Sequence, residues 1–227
     1  MKQGHLHPST QILRQLVKIF TELGFEVYEG PEVDDEWHNF DALNVSADHP
    51  ARDEQDTFYL TDGRVLRTHT SNCQIRAVKD IKKMPLKVII PGKCYRNEAT
   101  DDSHETTFYQ LEGLYIDKEV TVGNLFATVE QVLKRIYGDE VKYRVRPHHY
   151  PFVEPGYDFD IKTKSDWMEL MGSGMVHPKV LKNMGLDPEK YSGFAFGMGP
   201  DRMMLKKYGI CDIRNLWQSD LRFLRQF

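Results

Sequence analysis

Apolar side chains recur at Ile12, Leu16, Phe20 and Leu23, with Leu13 and Val17 beside them. That spacing is one face of a helix after Pro8, and Gly24 follows as a left-handed stop. A second stripe, Leu125, Val129, Leu133 and Ile136, is opened by Thr121 as a cap and closed before Gly138. Ser71 to Lys82 also has helical character, and Pro200 suits the first position of a last helix, with Asp201 in its first turn and Lys206 and Lys207 near its end. Strand patterns fall between the helices: Phe25 to Glu29, ended by Gly30-Pro31; Leu86 to Ile90; Trp167 to Gly172; Ser192 to Gly197. Val141, Tyr143 and Val145 alternate with basic residues, and Thr57 to Leu60 and Arg64 to Arg67 flank Asp62-Gly63, a hairpin signal. Hairpin-linked strands with flanking helices predict an α+β fold, a mainly antiparallel sheet flanked by helices, and not a doubly wound one.

The most informative stretch is Lys93 to Glu98, a polar loop to Thr107, and Phe108 to Ile116. As antiparallel strands joined by that loop, period-two alternation places Arg96 with Glu98, and Phe108 with Gln110 and Glu112, on common faces. An arginine, a stacking aromatic and carboxylates then converge, which reads as a nucleotide site. Gly197-Met198-Gly199-Pro200-Asp201-Arg202 adds a second arginine in the first turn of a helix, where backbone N–H groups also favour anions. Two separated arginines suit a polyphosphate.

Composition narrows the class. The 227 residues, 40% hydrophobic and 28% charged, fit one compact domain spanning 1–227. No apolar run approaches the roughly 20 residues of a membrane span and no signal-peptide core is visible, so no membrane contact and a cytoplasmic location are expected. Cys73, Cys94 and Cys211 lack paired spacing, arguing against disulfides and structural zinc. A net charge of −4 gives no footprint for strong autonomous binding of nucleic acid.

From Gly4-His5-Leu6-His7-Pro8 to Leu221-Arg222-Phe223-Leu224-Arg225-Gln226-Phe227 the chain resembles the catalytic domain of bacterial phenylalanyl-tRNA synthetase α subunits, which are class II aminoacyl-tRNA synthetases. The region ending in Gly30-Pro31 resembles motif 1, Tyr95-Arg96-Asn97-Glu98 motif 2, and the segment from Gly197 to Arg202 motif 3. Family-specific stretches are Asn39-Phe40-Asp41-Ala42-Leu43-Asn44, His49-Pro50-Ala51-Arg52-Asp53, Arg67-Thr68-His69-Thr70-Ser71, Gly174-Met175-Val176-His177-Pro178 and Tyr191-Ser192-Gly193-Phe194-Ala195-Phe196-Gly197.

The resemblance implies attack of a phenylalanine carboxylate on the α-phosphate of ATP, with Mg²⁺, followed by transfer to tRNA(Phe). It implies that Arg96 holds the α-phosphate and the carboxylate, Arg202 the γ-phosphate, and Phe108 the adenine, with Glu98 and His104 also near ATP. Glu169 is the implied magnesium ligand, with Glu154 as a second carboxylate. His69, Ser71 and Gln74 match the group that orients the amino end together with Gln110 and Glu112; from the residue alone, Ser71 reads as a helix cap. Tyr150 and Phe152 match the aromatics packed on the substrate ring, and Ala195 the pocket floor.

There are departures. Tyr150 stands where the family carries Phe, and its buried O–H requires a water or acceptor, a place at the rim, or a different aromatic substrate. Ser173 replaces a common Ala, and His148-His149 lacks a third ligand for a metal. Family members place a helical hairpin before this domain and pair it with a β subunit. Neither corresponds to anything in this sequence, so weak charging of tRNA by the chain alone is expected, as is a homodimer through the motif 1 region. A regulatory binding protein and an amide ligase using another acceptor are the alternative functions.

Overall fold

A computed structural model of the chain describes residues 4–47, 57–97, 99–102, 104–163 and 166–227. The helices are α1 (Pro8–Glu22), α2 (Glu36–Asn39), α3 (Asn72–Ile81), α4 (Val122–Tyr137), α5 (Pro178–Asn183), α6 (Pro200–Tyr208) and α7 (Leu221–Leu224). The strands are β1 (Glu26–Val27), β2 (Val33–Asp34), β3 (Val65–Leu66), β4 (Leu86–Tyr95), β5 (Thr107–Asp117), β6 (Tyr143–Tyr150), β7 (Val153–Lys162), β8 (Trp167–Val176) and β9 (Ser192–Met198). Seven strands form one sheet in the order β1-β4-β5-β9-β8-β7-β6, and β2 pairs with β3. Among the described residues, only the β1–β4 pairing is parallel.

The helix signals in the sequence work as their chemistry requires. Pro8 opens α1, and Gly24 follows it with φ +85°. Thr121 and Asn124 exchange side-chain and backbone bonds in a capping box at the start of α4. On one sheet face, the stripes of α1 and α4 meet Phe159, Phe194, Phe196 and Met198, with Met203 and Met204 of α6. A second apolar cluster, with Phe40, Leu43, Ile75, Val78, Val180 and Leu181, covers part of the opposite face through Val88, Leu114, Ile116 and Ala195. The rest of that face carries the cavity described below.

Four expectations need amendment. The segments 86–90 and 93–98 are not separate strands: β4 runs unbroken through Pro91, which the ladder tolerates because β1 pairs only with Val88 and Ile89, leaving β4 an edge strand beyond them. The strand expected over Phe25 to Glu29 shrinks to the two residues of β1. The hairpin around Asp62-Gly63 turns where expected, but its first arm keeps a single bridge, Tyr59–Val65, in place of a strand, while Val65 and Leu66 also pair with β2. β8 continues past Gly172 to Val176.

Two elements without a sequence signal matter for the site. β7 fills the sheet between β6 and β8, and Leu170 is an extra residue in β8: Phe159 pairs with Met171 whereas Asp160 pairs with Glu169. Such a bulge re-aims the side chains beyond it. Counting by twos from Gly172 would turn Glu169 away from the cavity; the bulge turns it in.

Candidate active site

A cavity of about 470 Å³ opens on the sheet face opposite α1 and α4, and eleven expected site residues line it: His69, Ser71, Arg96, His104, Phe108, Gln110, Glu112, Tyr150, Phe152, Glu169 and Arg202. The β4–β5 pair supplies the first group. Its register sets Cys94 opposite Phe108 and Ile90 opposite Glu112, so Phe108, Gln110 and Glu112 share one face as alternation requires. Arg96 lies just past the end of β4; its guanidinium sits 4.8 Å from the Phe108 ring centre, and its Nε donates to Thr68 O at 3.2 Å. The cation therefore rests on the aromatic face and one of its donors is used to orient it.

Glu112 is 2% exposed, yet both its oxygens are engaged: Gln74 Nε2 donates at 2.5 Å and Gln110 Nε2 at 2.9 Å. Burial pushes this carboxyl up to about 7, against the opposing effect of the Ser71, Gln74 and Gln110 donors. Ser71 precedes α3 without capping it; its hydroxyl serves Glu112 instead, which overturns the cap reading. Gln74 does not line the cavity itself and acts on it through Glu112. His69 is buried with neither ring nitrogen hydrogen-bonded, and burial followed by the nearby Arg96 charge lowers it to about 3. It is a neutral imidazole facing the cavity.

At the other end, Arg202 sits in the first turn of α6, with Nη1 3.8 Å from Glu169 Oε1. Asp201, expected only as a first-turn charge, is 2% exposed and accepts the backbone N–H of Tyr109 at 2.9 Å, tying α6 to β5. Burial raises it to about 7. His104 lies at the rim, held by Asp101 at 3.0 Å. Glu98, like the segment from His49 to Asp53, lies outside the described residues.

The aromatic lobe consists of Tyr150 and Phe152, stacked with centres 5.5 Å apart. The Tyr150 hydroxyl donates to Asp158 Oδ1 at 2.8 Å, so its partner is an acceptor within the protein. Ala195 does not line the open cavity; it is 3% exposed in the apolar cluster below, on the same strand face as Gly197.

Glu154 is a correction. Its carboxylate lies 3.4 Å from His177 Nε2 and it does not line the cavity. Glu169 is in register with Asp160, six residues along β7 from Glu154. That is a separation of about 20 Å at strand rise, so the two carboxylates cannot share an ion. Among the described residues, the only cluster with metal-ligand geometry is Asp34, Asp35 and His38, where Arg76 already pairs with Asp34. Of the two carboxylates expected to hold a metal, Glu169 is the one that lines the cavity.

Sequence reasoning did not anticipate the charged network beneath the lobe. Asp160 accepts from Arg144 Nε at 2.8 Å and from Arg146 Nε at 2.7 Å, and Arg146 Nη2 donates to Asp158 at 3.2 Å. The signal was present as a two-residue alternation, Arg144 and Arg146 on one strand and Asp158 and Asp160 on the other, and only the β6–β7 register makes it readable.

The whole chain, residues 1–227, matches the family model described as tRNA synthetases class II core domain (F). The phenylalanine–tRNA ligase α subunit of Clostridium kluyveri is 50% identical over 236 residues, covering 99% of this chain and 69% of that protein. The corresponding α subunit of Caldicellulosiruptor saccharolyticus is 49% identical with the same coverage. Among solved structures, pyrrolysyl-tRNA synthetase from Desulfitobacterium hafniense superposes with a TM-score of 0.74 at 16% identity, covering 93% of this chain and 74% of that one, a likeness of fold alone. With the antiparallel sheet, the motif arginines and these relatives in agreement, the chain belongs to the class II aminoacyl-tRNA synthetases, in the family of phenylalanine–tRNA ligase α subunits.

Proposed function

We propose that the chain activates phenylalanine with ATP, forming phenylalanyl adenylate for transfer to tRNA(Phe). One observation carries the reading: Arg96, Phe108, Glu112, Glu169, Arg202 and the Tyr150–Phe152 pair all border one cavity. In the reaction a substrate carboxylate oxygen bonds to the α-phosphorus as the bond to the bridging oxygen breaks and pyrophosphate leaves. No side-chain nucleophile is needed, so the protein contributes position and charge. Arg96 holds the α-phosphate and carboxylate, and Arg202 the γ-phosphate, through bidentate donors. Phe108 offers its face to adenine. Neutral His69, Ser71, Gln110 and ionised Glu112 receive the ammonium, and Tyr150 and Phe152 receive the ring above Ala195. Magnesium held at Glu169 would neutralise charge on the phosphates.

The test is ATP–pyrophosphate exchange with every proteinogenic amino acid. Exchange is expected with phenylalanine above all others; a folded chain active with none refutes the reading. The binding-protein alternative gains no support from the site, because mere binding has little use for two phosphate arginines, and the amide-ligase alternative, which shares the adenylate step, is disfavoured by the α-subunit relatives. We further propose that 1–227 acts as one catalytic unit, works in the cytoplasm, dimerises through the region ending at Pro31, and meets a β subunit, in keeping with the α-subunit designation of its relatives. No helix among the described residues is long and apolar enough to cross a membrane.

Glu112 makes the activity pH-dependent. The ammonium needs the carboxylate, which forms only as pH rises through about 7. KM for phenylalanine is therefore expected to fall about tenfold from pH 6 to pH 8, following the ionised fraction of the free enzyme. Stability has the opposite sign. Because the folded pKa is raised, the folded state holds the extra proton between the unfolded value and about 7, so this group's contribution is full below that window and is lost as pH rises through it. In Glu112→Gln the KM step should disappear; a step that persists unchanged assigns the titration elsewhere, Asp201 being the other buried carboxyl raised to about 7.

A further inference from the structure

The ring of Tyr150 reaches from the end of β6 across β7 to β8. A Cβ on Gly172 would come within 2.5 Å of the Tyr150 hydroxyl oxygen and 2.7 Å of its Cζ, so glycine is what lets the ring lie down on the sheet. Gly172 is the register partner of Asp158, the residue that accepts the Tyr150 hydroxyl at 2.8 Å. Asp158 is 1% exposed, and its second oxygen accepts from Arg146 Nη2 at 3.2 Å and lies 3.1 Å from His148 Nδ1. A buried carboxylate with these partners has a fixed direction, and a phenol bonded to it inherits that direction. The His148 ring centre, 4.5 Å away, flanks the tyrosine on one side, and Phe152 stacks on it at 5.5 Å.

We propose that Asp158 is a positioning residue for amino-acid selection: by holding the Tyr150 hydroxyl against the sheet, it keeps that polar group from the substrate and fixes the ring as a wall of the aromatic lobe. The inference rests on the reading of the cavity as a phenylalanine-activation site. With the hydroxyl so engaged, the wall presents carbon to the substrate, which suits an unsubstituted ring. Once released, the phenol can turn toward the substrate and pair with a para-hydroxyl, so tyrosine gains relative to phenylalanine.

The experiment compares wild type, Asp158→Ala, Tyr150→Phe and the double variant in exchange assays with phenylalanine and tyrosine, after thermal melts confirm folding. Asp158→Ala should raise KM for phenylalanine about tenfold and cut the phenylalanine-to-tyrosine ratio of kcat/KM by about the same factor, the scale of one hydrogen bond to a charged group. Its kcat and its KM for ATP should stay within about twofold of wild type, a split that a general loss of structure would not give. Tyr150→Phe should leave the phenylalanine-to-tyrosine ratio within about threefold of wild type, and in that background Asp158→Ala should cause no further loss of it, because no hydroxyl remains to turn toward the substrate. An equal loss of discrimination in both backgrounds overturns the proposal, as does a large change from Tyr150→Phe alone, which would place the hydroxyl against the substrate. That second outcome remains decisive if Asp158→Ala does not fold. A wild type inactive with every amino acid overturns the functional reading and this inference with it, whereas an active wild type without the coupling overturns the inference alone.

Discussion

Replacing Arg96 or Arg202 by alanine is expected to slow amino-acid activation at least about 100-fold, because each removes a positioned cationic donor worth roughly 2.7 kcal/mol in the transition state. Their surroundings predict different profiles. Arg96 rests on Phe108 and bonds Thr68 O; on the proposed reading it is the donor at the reacting phosphate, so its loss should appear chiefly in kcat. Arg202 stands beside Glu169 at 3.8 Å, so its loss should raise KM for ATP as well and change the magnesium dependence. Lysine should restore little at position 96, since one ammonium cannot span a phosphate and a carboxylate as a planar fork does. Steady-state pyrophosphate exchange on variants with wild-type melting behaviour is the measurement. Near-normal exchange in either would remove that arginine from the phosphates.

The second large effect is on stability. Phe196 is 1% exposed and stacks on Phe20 at 5.3 Å, with Phe194 at 6.3 Å and Phe25 at 6.5 Å. It therefore joins the stripe of α1 to β9. Phe196→Ala is expected to cost about 3–5 kcal/mol, the range for emptying a large core site. The register partner of Phe196 on β5 is Gly113, where a Cβ would come 2.0 Å from Cζ of Phe196. Gly113→Ala should destabilise through overpacking, by about 1–3 kcal/mol, and a smaller side chain at 196 should partly relieve it, since contacting residues couple. Urea melts of the single and double variants measure both effects. A loss below about 1 kcal/mol in Phe196→Ala would mean that the core repacks around the gap.

What could be read from the chain was what depends on neighbours in sequence. Thr121 and Gly138 bound α4, Pro200 starts α6, and alternation sets Phe108, Gln110 and Glu112 on one face without knowledge of any partner strand. The unread part depends on pairings. β7 opens with Val153-Glu154-Pro155-Gly156, which resembles a loop, and its buried Asp158 and Asp160 look solvent-facing until Arg144 and Arg146 are set opposite them. Glu169 faces the cavity because of an extra residue at Leu170, and no local pattern marks that insertion. Glu154 is hidden for a related reason: only the β7–β8 pairing sets it beside His177 and away from the cavity.

The strand carrying Gln110 and Glu112 also carries Leu111 and Gly113, whose opposite face belongs to the aromatic core. Chemistry and folding are thus written into alternate letters of one word, and a backbone shift that retunes one disturbs the other. The aromatic lobe is different: Tyr150 lies at the end of an edge strand, β6, held by an acceptor at Asp158, space at Gly172 and the neighbouring rings of His148 and Phe152. Changes of substrate range, by selection or in the laboratory, should therefore accumulate along the outer strands while β5 stays nearly unaltered. A library spread over positions 148–152 should return more folded, active variants with altered amino-acid preference than one of equal size spread over 108–113.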